Sequence, residues 1–110
     1  MIKVDIFRKD GNIVKLEMKG HAGFSESDDI VCASASSVVF ACINGIENVL
    51  GVPCGYETED EEGYLFFVLP DDLDTNTQEK VNILTESFSL FIKELESQYP
   101  ANVTVTELEV

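Results

Sequence analysis

Two residues of this sequence could act together in nucleophilic catalysis, Cys32 and His21. A cysteine attacks as its thiolate, and the free N–H groups in the first turn of a helix stabilise that anion. Cys32 closely follows an acidic pair, Asp28-Asp29, that can cap a helix. His21 is the one histidine and could hold the thiol proton. The spacing therefore indicates an activated thiol, although a core cysteine and an exposed loop histidine would look the same.

Nearby residues could support this chemistry. Asp29 could orient the imidazole or could serve only as the helix cap. The backbone N–H groups of Cys32 and Ala33 could form an oxyanion hole, and Ser36 lies one helical turn beyond Cys32. The polar segment Gly20–Asp29 is long for a connection, and we expect it to make few core contacts.

The remaining cysteines do not indicate a metal or a disulfide framework. Cys32, Cys42 and Cys54 are an odd number without Cys-x-x-Cys spacing, and one histidine cannot form a multi-histidine site. The chain also lacks the glycine-rich motifs that bind nucleotide phosphates. We therefore expect no cofactor and no metal.

Composition and charge restrict the class of protein. The chain has 110 residues, 45% of them hydrophobic, which predicts a single domain over residues 1–110. Its net charge of −14 disfavours direct contact with nucleic acid and suits a basic protein partner or a solvated surface. The longest apolar run is short, Tyr64–Leu69, and the N-terminus lacks a signal-peptide core. We expect a cytoplasmic protein that does not enter a membrane.

Hydrophobic periodicity predicts the elements that must position the two residues. Alternation predicts strands at 2–7, 14–19, 54–59 and 64–69 and from Val103, with 64–69 central in the sheet. Helical spacing predicts helices at about 30–50, with Gly45 as an irregular point, and at about 75–98. The order β-β-α-β-β-α-β predicts an α+β fold, a two-layer sandwich in which two helices pack on a mainly antiparallel sheet of about five strands. The first helix is apolar enough to suggest a homodimer.

The residues around the cysteine resemble a known motif. Gly20-His21-Ala22, then Asp29-Ile30-Val31-Cys32-Ala33, then Ser36, is similar to the signature of the ribosomal-processing cysteine protease family, Prp. The resemblance extends over the whole chain. It departs at Ser27-Asp28, where we expect a glycine, and in the small residues that follow Cys32.

The resemblance implies a homodimeric endopeptidase that removes the N-terminal extension of a large-subunit ribosomal protein precursor, cutting after an aromatic pair and before Ala. It implies Cys32 as the nucleophile and His21 as the general base and acid. Gly20 and Ala22 belong to the motif beside His21, Ala33 follows the nucleophile, and Asp29 and Ser36 support the site.

Two other functions remain open at this point. A non-catalytic acidic module that binds or chaperones a basic ribosomal protein would have the same charge but no use for an activated thiolate. A redox or acyl-transfer enzyme would use the thiolate, but no second cysteine is spaced to resolve it.

Overall fold

The computed structural model describes residues 1–26, 29–59, 61 and 63–110 of the chain. Five strands and two α-helices follow one another in the predicted order. Their bounds are β1 Ile2–Lys9, β2 Asn12–Lys19, α1 Ile30–Asn44, β3 Gly55–Glu59, β4 Tyr64–Val68, α2 Thr75–Gln98 and β5 Val103–Glu109, with a π-helical turn at Gly45–Val49 after α1.

The five strands form one mixed sheet in the order β3-β4-β2-β1-β5. Only β5 runs parallel to its neighbour, β1, and the other pairs are antiparallel. Asp10 and Gly11 both have positive φ, 52° and 85°, as the tight turn of the β1–β2 hairpin requires. The predicted class and order are confirmed. The apolar strand β4 is interior, as expected, but β2 occupies the middle of the sheet.

One face of the sheet packs against both helices and forms the core. Buried residues alternate along β1, where Ile2, Val4 and Ile6 point to the helices. The two helices and the other strands contribute to the same cluster, which includes Leu16, Phe67, Val39, Val81, Phe88, Ile92 and Val103. The core thus fixes the first turn of α1 over one end of the sheet.

Helix α1 is interrupted where the sequence predicts an irregularity. The π-helical turn begins at Gly45, and a Cβ atom there would lie 2.9 Å from a methyl carbon of Leu84 on α2. The glycine therefore lets the two helices approach closely. By length and composition alone, the stretch Ile30–Val49, with a mean hydropathy of 1.6, could cross a membrane. Core helices meet the same criterion, and α1 contributes Val31 and four further residues to the core.

Some sequence predictions fall on residues outside the described part of the chain. These are Asp28 as the alternative cap, the departure from the family motif at Ser27-Asp28, and Asp60 and Glu62 of the acidic turn before β4.

Candidate active site

Cys32 lies in the first turn of α1, as predicted, and Asp29 is the cap. One carboxylate oxygen of Asp29 accepts hydrogen bonds from the backbone N–H groups of Val31 and Cys32, each at 3.0 Å. The side chain of Asp29 therefore fixes the start of the helix, and the sulfur of Cys32 lies near the positive end of the helix dipole.

The sulfur of Cys32 has a backbone donor that the sequence did not reveal. The N–H group of Ala22 donates a hydrogen bond to Cys32 Sγ at 3.1 Å. Ala22 is 2% exposed, and its carbonyl accepts a hydrogen bond of 2.9 Å from the side-chain amide of Asn102. The expectation that this segment makes few core contacts is therefore wrong at Ala22.

Asp29 also binds the loop that contains His21 to the helix. Its second carboxylate oxygen accepts from the N–H groups of Phe24 at 3.1 Å and Ser25 at 3.5 Å. Together with the two bonds from α1, these bonds hold the pKa of the Asp29 carboxyl below its usual range. The bond from the Cys32 N–H has the largest effect. In the described part of the chain no hydrogen bond joins Asp29 to His21, so its role is that of a cap and a loop anchor.

The expected oxyanion hole is not available in this structure. The N–H group of Cys32 donates to the Asp29 carboxylate, and that of Ala33 donates to the Asp29 carbonyl at 3.0 Å. Both donors are therefore occupied by the cap. Predicting an oxyanion hole from helix position alone failed because it ignored the acceptor that the cap itself supplies.

His21 is positioned by the end of the β2–β4 ladder. The N–H group of Gly20 donates to the carbonyl of Gly63 at 2.9 Å, which continues the pairing one residue beyond β2. His21 Nε2 then lies 3.2 Å from the carbonyl oxygen of Glu61. A Cβ atom at Gly63, where φ is 64°, would lie 2.5 Å from the Gly20 oxygen and 3.0 Å from His21 Cε1. The turn before β4 thus sets where the imidazole can lie.

His21 and Cys32 line the same cavity, which has a volume of about 160 Å³. Its wall also includes Gly20 and Ser36. The other predicted residues lie around it: Ala22 and Asp29 bond to Cys32, and Ala33 lines a separate surface groove. The rest of the wall is formed by Ile2, Met18, Ala35, Val39, Phe40, Thr58, Glu59, Gly63, Tyr64 and Leu65.

The resting site does not contain a formed dyad. No hydrogen bond joins His21 to Cys32, both of which the structure describes, and the imidazole instead faces the Glu61 carbonyl. Sequence analysis also missed Asn102, Thr58 and Glu59. These residues are distant in the chain, and only the sheet order brings them to the site.

The other two thiols lie in different surroundings. Burial raises the pKa of Cys42 to about 12 and that of Cys54 to about 11, so both are protonated near neutral pH. In the described residues no group of three or more His, Cys, Asp or Glu side chains could hold a metal ion. The cavity itself is lined by one thiol, that of Cys32, and one imidazole, that of His21.

Comparison with known proteins gives the family. The model of the family "Cysteine protease Prp" matches residues 1–104. The chain belongs to the Prp family of cysteine proteases. It is 33% identical over 108 residues to the ribosomal processing cysteine protease Prp of Bacillus subtilis, with 96% of each chain covered.

Solved structures of a Prp protease have the same fold. One is the essential ribosomal processing protease Prp of S. aureus with a covalently linked product peptide, at a TM-score of 0.86 and 27% identity. Another is the same protease with a substrate peptide, at a TM-score of 0.81 and 28% identity. Both alignments cover 97% of this chain and 99% of the other. The Prp fold therefore extends over nearly the whole chain.

Proposed function

We propose that this chain, as one domain over residues 1–110, is an endopeptidase that removes the N-terminal extension of a large-subunit ribosomal protein precursor. Cys32 is the nucleophile and His21 is the general base and acid. The observation that carries the proposal is the surroundings of Cys32 Sγ, which accepts the Ala22 N–H at 3.1 Å and opens into the cavity that His21 lines. The peptide complexes of the S. aureus protease support this choice of substrate class.

The reaction follows from the two groups. His21 takes the thiol proton, and the thiolate attacks the scissile carbonyl carbon, forming a carbon–sulfur bond. His21 gives the proton to the leaving amine as the carbon–nitrogen bond breaks, which leaves a thioester. A water molecule that loses its proton to His21 then attacks the thioester carbon, the carbon–sulfur bond breaks, and His21 returns the proton to the Cys32 sulfur as the new carboxyl end of the product is released. Because His21 faces Glu61 at rest, the imidazole turns towards Cys32 when substrate binds.

The supporting residues act through position. Asp29 holds the loop and the first turn of α1 together, and Ala22 supplies the donor to the sulfur. The hydrogen bond from the Gly20 N–H extends the β2–β4 pairing to the residue before His21. The Ala33 N–H donates to the Asp29 carbonyl at the helix cap, and Ser36 forms part of the cavity wall.

Cleavage of a junction peptide tests the proposal directly. We expect the protein to cut a peptide that contains Phe-Phe before Ala, after the second Phe, and we expect Cys32→Ala and His21→Ala to lose cleavage. Mass spectrometry of the products identifies the cut bond. The alternative, an acidic module that only binds ribosomal proteins, predicts binding without cleavage by any of the three proteins.

The partners follow from charge and exposed surface. The net charge of −14 suits a basic ribosomal protein in the cytoplasm and disfavours nucleic acid.

A second copy of the chain is the partner for the outer face of α1 and α2, where half-exposed Ile30 and Phe91 line a groove of about 520 Å³. Sedimentation should show that the unmodified protein is a dimer and that Phe91→Glu is a monomer. Leu90→Glu is the control and should remain a dimer, because Leu90 is exposed but does not line the groove.

A further inference from the structure

Strand β3 is an uncovered edge of the sheet. Within the described residues it pairs only with β4, and all five of its residues are exposed. A strand at the edge of a sheet presents unpaired N–H and C=O groups, and an extended peptide can pair with them.

Two hydrogen bonds settle which groups of β3 are free. The N–H of Leu69 donates to the Val14 carbonyl, and that of Gly20 donates to the Gly63 carbonyl, each at 2.9 Å. Both fit the β2–β4 register, so the odd-numbered residues of β4 bond to β2. Its even-numbered residues therefore bond to β3, where their partners are Gly55, Glu57 and Glu59.

The two residues between these partners, Tyr56 and Thr58, consequently direct both backbone groups away from the sheet. No residue in the described part of the chain bonds to those groups. Their side chains lie on the inner face, because they stand opposite Phe67 and Leu65, which are buried. The edge therefore offers two N–H and two C=O groups at the spacing of a β-ladder.

This edge leads into the candidate active site. Thr58 and Glu59, at the end of β3, line the same cavity as Cys32 and His21. We propose that the substrate binds as an added strand along the edge of β3, paired with Tyr56 and Thr58, so that its scissile bond reaches Cys32. This inference rests on the proposed function, because it concerns the substrate of that same site.

Strand addition determines which side chains the substrate needs. Side chains of the added strand that lie on the inner face point towards α1, where Phe40 is 40% exposed and lines the cavity with Ser36. Alternate side chains lie on the outer face beside Glu57 and Glu59, which form no ion pair with any described residue. The matching substrate is an extended segment with apolar residues on one side and basic or polar residues on the other.

An N-methyl scan of the junction peptide tests this arrangement. Each N-methyl group removes one peptide N–H, and the dissociation constant is measured with Cys32→Ala so that the peptide is not consumed. We expect affinity to fall about tenfold at every second position and little at the positions between. Equal effects at successive positions would overturn strand addition.

A proline variant of β3 tests the hydrogen bond that the Thr58 N–H would donate to the peptide. Thr58→Pro removes the outward N–H and no ladder bond, so an edge strand can accept it. Thr58→Ala is the reference, because it removes the side chain and keeps the N–H. We expect Thr58→Pro to bind the peptide about tenfold more weakly than Thr58→Ala, with both folded by circular dichroism. Equal affinity in the two folded variants would contradict the proposal.

The outcomes separate this inference from the proposed function. A peptide that binds with the alternating pattern but is not cleaved by the unmodified protein overturns the endopeptidase and supports strand addition. A peptide that is cleaved but shows no alternation overturns strand addition alone. A peptide that neither binds nor is cleaved overturns both. If Thr58→Pro fails to fold, the N-methyl scan still decides, because it leaves the protein unchanged.

Discussion

The sulfur of Cys32 differs from the other two thiols in its hydrogen-bond partner. Cys32 Sγ accepts the Ala22 N–H, whereas the Cys42 thiol donates to the Leu84 carbonyl at 3.7 Å and is buried. Accepting a hydrogen bond favours the thiolate, and donating one favours the thiol. Cys32 therefore differs from Cys42 in both its hydrogen-bond role and its burial.

Alkylation should reveal this selection. We expect iodoacetamide near neutral pH to label Cys32 at least about tenfold faster than Cys42 or Cys54, because raised pKa values of about 12 and 11 leave those two almost entirely protonated. Peptide mapping by mass spectrometry gives the rate at each site. Cys32→Ala should remove the fast phase, and equal rates at the three sites would contradict the activated thiolate.

The sequence predicted the shared location of Cys32 and His21 better than it predicted their hydrogen bonds. Helix position and the G-H-A motif predicted that Cys32 and His21 lie at one site, and both line one cavity. The donor to the sulfur was not predictable, because it depends on how the loop folds back and on Asn102, eighty residues beyond Ala22.

At the scale of the elements, the carboxylate of Asp29 joins the first turn of α1 to the loop that follows His21. It accepts hydrogen bonds from the first turn of α1 and from the loop at Phe24 and Ser25. A neutral amide has one acceptor oxygen in place of two, so it can keep the helix cap or the loop, but not both.

We expect Asp29→Asn to lower kcat/KM about tenfold or more and to speed amide exchange at Phe24. Asp74→Asn is the matched control, because Asp74 caps α2 through a 2.7 Å bond from the Thr77 N–H, and it is not among the residues that line the cavity. If both variants retain full activity, Asp29 does not position the site.

The same bonds predict a pH dependence. Because the pKa of Asp29 is lowered in the folded state, its contribution is present above the usual carboxyl range near pH 4 and is lost as pH falls through the folded pKa. Protection of the Phe24 amide should therefore persist at pH 5 and decline below about pH 4. In Asp29→Asn the Phe24 amide should not show this transition.

The turn before β4 positions His21 through a glycine. We expect Gly63→Ala to reduce kcat/KM about tenfold or more, because the added methyl group would contact Gly20 and the imidazole. Gly51→Ala is the matched control, since its φ of 71° is similar and no atom lies within 4 Å of the added Cβ. Equal activity loss in both variants would show that backbone strain, not displacement of His21, is the cause.

Periodicity predicted most elements but not their long-range pairing. The bounds of α2 at 75–98 agree with the structure because its apolar spacing and the Asp74 cap are local. No local sequence pattern predicts the parallel pairing of β5 with β1 or the irregularity between Phe7 and Arg8. The cavity wall from β3 depends on the long-range pairing of β4 with β2, which places the β3–β4 hairpin beside His21. That is why Thr58 and Glu59 were missed.

At the scale of the whole molecule, the negative charge is only partly balanced. The described ion pairs use Arg8 with Glu86 and Glu107, Lys93 with Glu107, and Lys19 with Glu17. The chain has 21 acidic and 7 basic residues, so acidic side chains outnumber basic ones threefold. We expect such a surface to attract a basic protein over distance and to repel ribosomal RNA.

Salt should therefore affect the whole substrate more than a short one. Exposed charges are screened within about 8 Å at physiological ionic strength, so association of a basic precursor with this surface should slow as salt rises. We expect kcat/KM for the whole precursor to fall steeply, by about tenfold, between low and high NaCl, while kcat at saturation changes little. A short neutral junction peptide should show a much weaker dependence, because it carries no charge for the surface to attract. Steady-state rates for both substrates at matched temperature and pH make the comparison. An equal dependence for the two substrates would mean that salt acts on the site itself and that the acidic surface serves only to keep the protein solvated.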